Sequence, residues 1–589
     1  MPQLNSTNWT DYGVIALYFV IIVCVGVFSA RKSKTTAAYY RGNGRIPWPL
    51  AGLSLWVSGF SAFIFVAAAG FVYQNGVGGL LLYMVPCVCT CLITAMTFAR
   101  MWRRSRIGTP LEFLTRRYSP STTYFYSVTS ILPAAVSIGQ GLYIVCMFVS
   151  SILGVAEQRV AFAGFVLNGF QASVVVVGAV MVFYTAIGGV WAAVLSDAIQ
   201  CVILAVMSVI VFFVTFIHLG HGSGIGAGLL RLLHEAPPNY FRLHDESASP
   251  PFLMAFVITE FLGYSVGWPL VQRLQSVDND RSSRKMMLLC AGLSTIAPLL
   301  WFLPVMAGRV IFPNIHALWP ALPVPEEASY VSLALLLLPH GMLGFVVAAI
   351  LSSALGSANA AFNWLTATVA HDVYVPVRRR LMGREPTDHQ QMRVAHLSMV
   401  VLGAVAVVTA WYTPRLGGAF KFMLNYGSLG MAFMFPVLFG LVFRRTPWWS
   451  GIVSCATALA AASTLMVLGV WKEQAYARNT LTEAGVTAVV FALSALWYRD
   501  DDPRSAGARQ LTMDLKTPVM GTDQAGEPGG GALVYGLIGV LTLVFGLVLL
   551  ACAFLPAGGQ SSSSINLAAS LCLMVIGGLM WRVAKGNPT

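Results

Sequence analysis

Charge is scarce in this chain: Asp, Glu, Lys and Arg make up 10% of its 589 residues, against about 25% in an ordinary soluble domain. That deficit excludes a soluble enzyme, a disordered scaffold and a nucleic-acid-binding domain. Cysteine supplies no framework either, because most of the ten Cys lie inside apolar runs and none is paired at zinc-finger or redox spacing in a loop. Cys87, Cys89 and Cys91 form the one cluster. Steps of two put Cys89 across a helix from its neighbours, which suits small apolar helix residues better than a metal site. The nine His sit mostly in loops or at span ends with no H-x-x-x-H pair, so no transition-metal centre is expected. The opening MPQLNSTNWT has neither a basic start nor a cleavage site, and the first apolar run therefore reads as a retained span.

Apolar residues, in contrast, reach 57%, enough for roughly fifteen membrane crossings at about 20 residues each. Apolar runs separated by charged or Gly/Pro clusters fall near 12–29, 49–73, 78–99, 124–153, 171–188, 190–218, 252–272, 287–311, 341–370, 394–413, 420–443, 449–470, 483–498, 532–555 and 565–583. The count drops by one if the Gly188-Gly189 boundary or the short run at 483–498 fails. Loops at 219–251 and 499–531 stand out, and the Gly-, Asp- and Pro-rich second one reads as disordered. On alternate loops, 28 of the 36 Lys and Arg gather on one side, which the positive-inside rule makes cytoplasmic. The expected protein is multi-pass, with its N-terminus outside and its C-terminus in the cytoplasm if fifteen spans hold.

Several residues stand out inside the spans. Gly263-Tyr264-Ser265-Val266-Gly267 matches the nucleophile elbow G-x-S-x-G, but that motif needs a strand before the serine and a helix after it. Within an apolar run, Gly263, Gly267 and Pro269 instead mark a helix that unwinds in mid-membrane and frees backbone groups. Ser58-Gly59-Phe60-Ser61 is a matching weak point in the second span, five spans earlier, as an inverted five-helix repeat would produce. Acids are costly at this depth. Asp197 reads either as a helix-start residue or as a cation or gating residue, and Glu260 either as a site residue or as a buried structural acceptor. Lys421 snorkels to water near the outer face. Ser353, Gly356 and Ser357 share one helix face at i, i+3, i+4, a pattern that by itself usually serves close packing.

Five stretches, TPLEFLTRRY (109–118), YTAIGGVWAAVLSDAIQ (184–200), PLVQRL (269–274), LPVMAGRVIFP (303–313) and GFVVAAILSSALGSANAAFN running on to HDVY (344–374), resemble the sodium/solute symporter family. That family includes sodium/glucose, sodium/proline and sialic acid cotransporters. The resemblance implies an all-α polytopic membrane protein. Its fold would be a leucine-transporter-type inverted five-helix repeat with one extra N-terminal helix and four extra C-terminal helices. The divisions are 1–48 for the extra helix and basic loop, 49–218 for the first repeat, 219–251 for an extracellular loop and 252–443 for the second repeat. Peripheral helices take 444–498, a flexible loop 499–531 and the C-terminal helices 532–589.

The resemblance also implies sodium as coupling ion, with no other metal and no organic cofactor. Sodium would be held by the carbonyls of Val57 and Phe60 and by Ser353 and Ser357, oxygen ligands suited to a hard cation. At Gly356 the family commonly carries a hydroxyl, so one ligand is missing there or supplied by a carbonyl or water, and a serine at 356 is expected to lower the sodium requirement. A second cation or gating position falls on Asp197 and Asn359. The solute pocket falls on Glu260, Tyr264, Tyr83 and Met423, and the residues of sugar-carrying members are not kept; their lysine, for example, is Ser294 here. The expected function is sodium-coupled import of a small polar organic solute by alternating access, without catalysis. Sugar or polyol transport, proton coupling and solute sensing remain as alternatives, and a membrane hydrolase is disfavoured. The expected partners are solute, sodium and the lipid bilayer, with no nucleic acid and no obligatory protein partner.

Overall fold

The computed structural model describes residues 4–5, 7–30, 46–60, 62–107, 111–155, 158–162, 165–242, 249–320, 322, 324–416, 422, 427–519, 530–554 and 560–586. Helices α1 (Trp9–Ala30) and α2 (Trp48–Phe60) are followed by a 3-10 turn at Ala62–Phe65 and then α3 (Ala67–Met96). Inside α3 the backbone turns at Gly76 (φ 57°, ψ −130°). That left-handed conformation is cheap for glycine alone, and it separates the second expected span from the third. Tyr240, from the loop after the sixth expected span, fastens this turn: its carbonyl accepts from Val77 N–H (3.0 Å) and its hydroxyl donates to the Tyr73 carbonyl (3.0 Å).

The chain continues through α4 (Phe98–Arg104), α5 (Glu112–Arg117) and α6 (Pro120–Ile152) to a hairpin, Arg159–Phe162 paired antiparallel with Phe165–Asn168, that periodicity had not suggested. Helix α7 then runs without interruption from Gly169 to Leu219, 51 residues. At 1.5 Å per residue that is about 76 Å, twice the length one crossing requires. The expected boundary at Gly188-Gly189 thus does not end the helix. Two glycines lower helix propensity by about 1 kcal/mol each, and the long apolar flanks outweigh that.

Next come α8 (Ile225–Glu235), α9 (Pro250–Val266), α10 (Trp268–Gln275), α11 (Asp280–Ile311), α12 (Ile315–Leu318) and α13 (Ser329–Leu337). Helix α14 (Met342–Ala367) passes through a π-helical turn at Thr368–Tyr374 into α15 (Val375–Met382). The remainder is α16 (Asp388–Tyr412), a 3-10 turn at Gly427–Phe433, α17 (Phe435–Val442), α18 (Ser450–Val467), α19 (Ala475–Ser494), α20 (Ala506–Lys516), α21 (Gly530–Ala553) and α22 (Gln560–Gly586). Among the described residues, eleven helical stretches are long and apolar enough to cross a membrane. Four shorter apolar helices, Trp9–Ile21, Trp48–Val57, Gly169–Phe183 and Ser428–Val442, lie where the first, second, fifth and eleventh spans were expected.

The 499–531 loop is not wholly disordered. Helix α20 buries Leu511 and Leu515 and docks through Asp514, whose carboxylate pairs with Arg116 at 2.5 Å. Arg104 reaches the Leu515 carbonyl (3.3 Å) and pairs with Asp280 (2.6 Å). Composition misjudged this segment because its apolar residues are few but share one helical face. Three arginines of the basic loops are also buried: Arg103, Arg117 and Arg273 are at most 3% exposed, and Arg117 spends its fork on the carbonyls of Gly440 and Phe443 and on Thr446.

The N-terminus of α14 is capped by another helix. Asp11 of α1, fully buried, accepts from the backbone N–H of Gly341 (2.7 Å) and of Gly344 (2.9 Å) on one oxygen and faces His340 Nδ1 (3.1 Å) with the other. Asn566 of α22 donates to the His340 carbonyl (3.2 Å). The first four N–H groups of a helix lack partners of their own, and a carboxylate there also meets the positive end of the helix dipole. Replacing Asp11 by Ala should therefore cost about 2–3 kcal/mol, read as a lower unfolding midpoint in detergent, with Asp11→Asn falling between. Equal midpoints for all three proteins would remove Asp11 as the anchor.

Candidate functional site

Two helix breaks face each other. Helix α2 ends at Phe60, and a 3-10 turn follows at Ala62–Phe65. The other break sits at Gly267, which joins α9 to α10 with non-helical angles (φ −57°, ψ 129°), and Pro269 opens α10 where its missing N–H is harmless. Gly263 stays helical within α9. The carbonyls released near Gly267 are taken by neighbours: Thr94 donates to the Tyr264 carbonyl (3.1 Å) and Trp102 Nε1 to that of Ser265 (2.8 Å). Ser265 itself is helical and 2% exposed, with its hydroxyl 3.0 Å from Thr94 Oγ1. It lacks the strand-to-turn setting of a nucleophile elbow.

Tyr264 bridges the breaks. A Cβ built on Gly59 would lie 2.6 Å from the Tyr264 hydroxyl, so the α9 side chain occupies the space that glycine leaves open in α2. Both α2 and the 3-10 turn after it pack against α14, the helix of Gly356 and Ser357. Val57 is buried and Ser357 half-buried. Phe60, Ser353, Asn359 and Pro269 lie on described helices, with side chains outside the described residues; Lys421 and Met423 are outside them altogether.

Asp197 sits in the middle of α7, which removes the helix-start role. It is fully buried and accepts from the Ser54 hydroxyl of α2 (2.5 Å), with Arg273 Nη2 of α10 3.6 Å from the same oxygen. Arg273 Nε also donates to Ser54 Oγ (2.9 Å). One carboxylate thereby joins the long helix to the segments before the first break and after the second. Its other oxygen closes on α14, because a Cβ at Gly356 would collide with Asp197 Oδ1 and lie 2.9 Å from Gln200 Oε1. A serine at 356 would have to displace these two side-chain tips before it could offer a ligand.

On the other side of the breaks, Glu260 is half-buried, one turn after Phe256 and one turn before Tyr264 on α9. Tyr83 packs edge-on against Phe256 (5.2 Å between ring centres) and beside Phe302 (5.8 Å). Ser294 is buried and accepts from Trp56 Nε1 (3.1 Å), with Cys87 3.3 Å away. Cys87 and Cys91 face inward while Cys89 is exposed, the arrangement their spacing suggests. Among the predicted positions, the structure brings Gly356 against Asp197 and Gly59 against Tyr264, with Glu260 one turn from Tyr264 on α9 and Tyr83 packed on Phe256 of the same helix. Sequence reasoning missed Ser54, Gln200 and Arg273. The PLVQRL stretch contained Arg273, but nothing local shows that it turns toward Asp197.

The family model described as the sodium:solute symporter family matches residues 39–451. The chain belongs to that family. It is 22% identical over 473 residues to the sodium/sialic acid symporter NanT of Aliivibrio fischeri, covering 78% of this chain and 88% of the relative. It is 24% identical to the sodium/glucose cotransporter of Vibrio parahaemolyticus (85% and 93% covered) and 25% identical to the sodium/pantothenate symporter of Escherichia coli (77% and 88% covered). Among solved structures, a substrate-bound, outward-open Na+-coupled sialic acid symporter superposes with a TM-score of 0.69 at 18% identity, covering 84% of this chain and 98% of that one. The fold is that of a leucine-transporter-type symporter, and the protein is a multi-pass membrane transporter of a sodium-coupled family.

Two substitutions test the close approaches. Gly59→Ala should destabilise by about 1–3 kcal/mol through overpacking, and Tyr264→Phe, which removes the colliding hydroxyl, should recover part of that loss. Gly356→Ser should likewise lower the unfolding midpoint and weaken stabilisation by sodium. A Gly356→Ser protein that needs less sodium would mean that Asp197 and Gln200 move aside.

Proposed function

We propose that the protein imports a small polar organic solute together with sodium by alternating access. The observation that carries this reading is the meeting of two helix breaks through Gly59 and Tyr264 beside α14, which lets one ion and one solute bias the same pair of segments. Sodium binds between α2 and α14, on the carbonyls of Val57 and Phe60 and the hydroxyls of Ser353 and Ser357. Gly356 contributes room. Asp197, with Asn359 nearby on α14, serves as a gating or second cation position, and its ion pair with Arg273 ties α10 to the rest on the basic-loop side.

Solute binds on the opposite side of the breaks, around Glu260, Tyr264, Tyr83 and Met423. The N-terminus lies outside, and the loops that gather 28 of the 36 Lys and Arg lie in the cytoplasm. Residues 49–218 and 252–443 form the two repeats, the helix before them and the four after them being additions. Each charge drawn inward is worth about 2.3 kcal/mol per 100 mV of membrane potential, so binding need supply only the coupling. Sodium and solute then tighten each other by the same factor.

Purified protein in liposomes should accumulate solute under an inward sodium gradient and stop when potassium replaces sodium. Ser357→Ala removes a neutral oxygen ligand worth about 0.5–1.5 kcal/mol. It should raise half-saturating sodium roughly threefold to tenfold. Uptake that ignores the replacement of sodium by potassium sinks the coupling.

A further inference from the structure

Glu260 differs from the other buried acids discussed above. Asp11 is held by backbone N–H groups and Asp197 by Ser54 and Arg273, yet among the described residues Glu260 has neither an ion-pair partner nor a hydrogen-bond donor. It lies within the Pro250–Gln275 span, where a lone carboxylate is expensive. Phe256, Glu260 and Tyr264 follow at steps of four, on one face of α9. Phe256 leads to Tyr83, which is 8% exposed and carries a hydroxyl with no hydrogen-bond partner. Rings surround that tyrosine: Phe256 at 5.2 Å, Phe302 at 5.8 Å, and Phe63 and Phe71 each at 6.4 Å.

These groups select by charge. Aromatic faces attract cations and repel anions, and an uncompensated carboxylate does the same with more force. An anionic solute would be opposed by both. A neutral polyol could hydrogen-bond to Glu260 but would leave its charge in place. A protonated amine or a quaternary ammonium neutralises the carboxylate, sets its carbon substituents against the rings and leaves Tyr83 a polar group to bind.

We propose that the transported solute is a small organic cation, an amine or ammonium compound whose charged nitrogen sits at Glu260 against the aromatic cluster around Tyr83. This rests on the symporter reading above and adds the sign of the cargo. An electrical consequence follows: each solute carries its own charge inward, so the charge moved per turnover exceeds the number of sodium ions by one.

The test uses the full-length protein in liposomes with ethanolamine and choline as cationic probes, myo-inositol and glucose as neutral ones, and pyruvate as an anionic one. Sodium flux, solute flux and current are measured together. The expected result is uptake of a cationic probe with one charge more per solute than the sodium count. Glu260→Gln should lower that uptake about tenfold or more, Glu260→Asp should keep part of it, and both should retain thermal stabilisation by sodium. The charge count needs no variant, so it stands even if Glu260→Gln fails to fold. Sodium-driven uptake of neutral or anionic probes alone overturns the cationic cargo and leaves the symporter reading intact. Uptake of the cationic probes that is indifferent to sodium overturns the symporter reading and leaves the sign of the cargo standing.

Discussion

A helix that stops at membrane depth exposes carbonyls and amides that hydrocarbon cannot satisfy, and the centre of this protein is organised by where those groups find partners. At the second break the answer is internal: Thr94 and Trp102, from the preceding helices, take the carbonyls of Tyr264 and Ser265. Their side chains make the interruption at Gly267 tolerable and tie α9 to α3 and α4. At the first break, α2 and the 3-10 turn after it pack against α14 instead. In the proposed cycle a cation supplies there what Thr94 and Trp102 supply at the second break.

Asp197 extends this logic toward the basic loops. Its carboxylate accepts from Ser54 and pairs with Arg273, so α2 and α10, on the far sides of their breaks, are held to one point on α7. A buried pair of this kind adds little net stability because desolvation offsets attraction, yet losing one partner leaves an uncompensated charge. Such an arrangement suits a contact that must be made or broken as a whole. Gly356 belongs to the same point, because its missing side chain is what lets α14 approach the carboxylate.

Much of the fold was legible as pattern. Apolar runs located the membrane helices, Gly267 with Pro269 marked a true break, and steps of two correctly turned Cys89 away from Cys87 and Cys91. What escaped is what depends on partners distant in sequence. Asp11 falls just ahead of the first apolar run, and nothing near it in the sequence shows that α14 places its N-terminus against it. Residues 506–516 read as loop because their few apolar side chains matter only when Arg116 and Arg104 are nearby. The Gly188-Gly189 pair read as a boundary by local propensity, whereas α7 runs on through it. Gly356 is the sharpest case: sequence comparison registered an absent hydroxyl, and three dimensions show an absent volume. Both descriptions fit the same letter, and the Asp197 side chain 159 positions earlier separates them.

The contrast between the two acids then orders the site. Asp197 has a guanidinium and a hydroxyl beside it, and it therefore works as a fixed point that other segments meet. Glu260 lies one turn from both Phe256 and Tyr264 on α9, and among the described residues no cation or hydrogen-bond donor meets it. The span carrying Glu260 is also the one that breaks at Gly267, two turns on. Compensation of that carboxylate is therefore felt directly by the helix whose rearrangement a transport cycle requires.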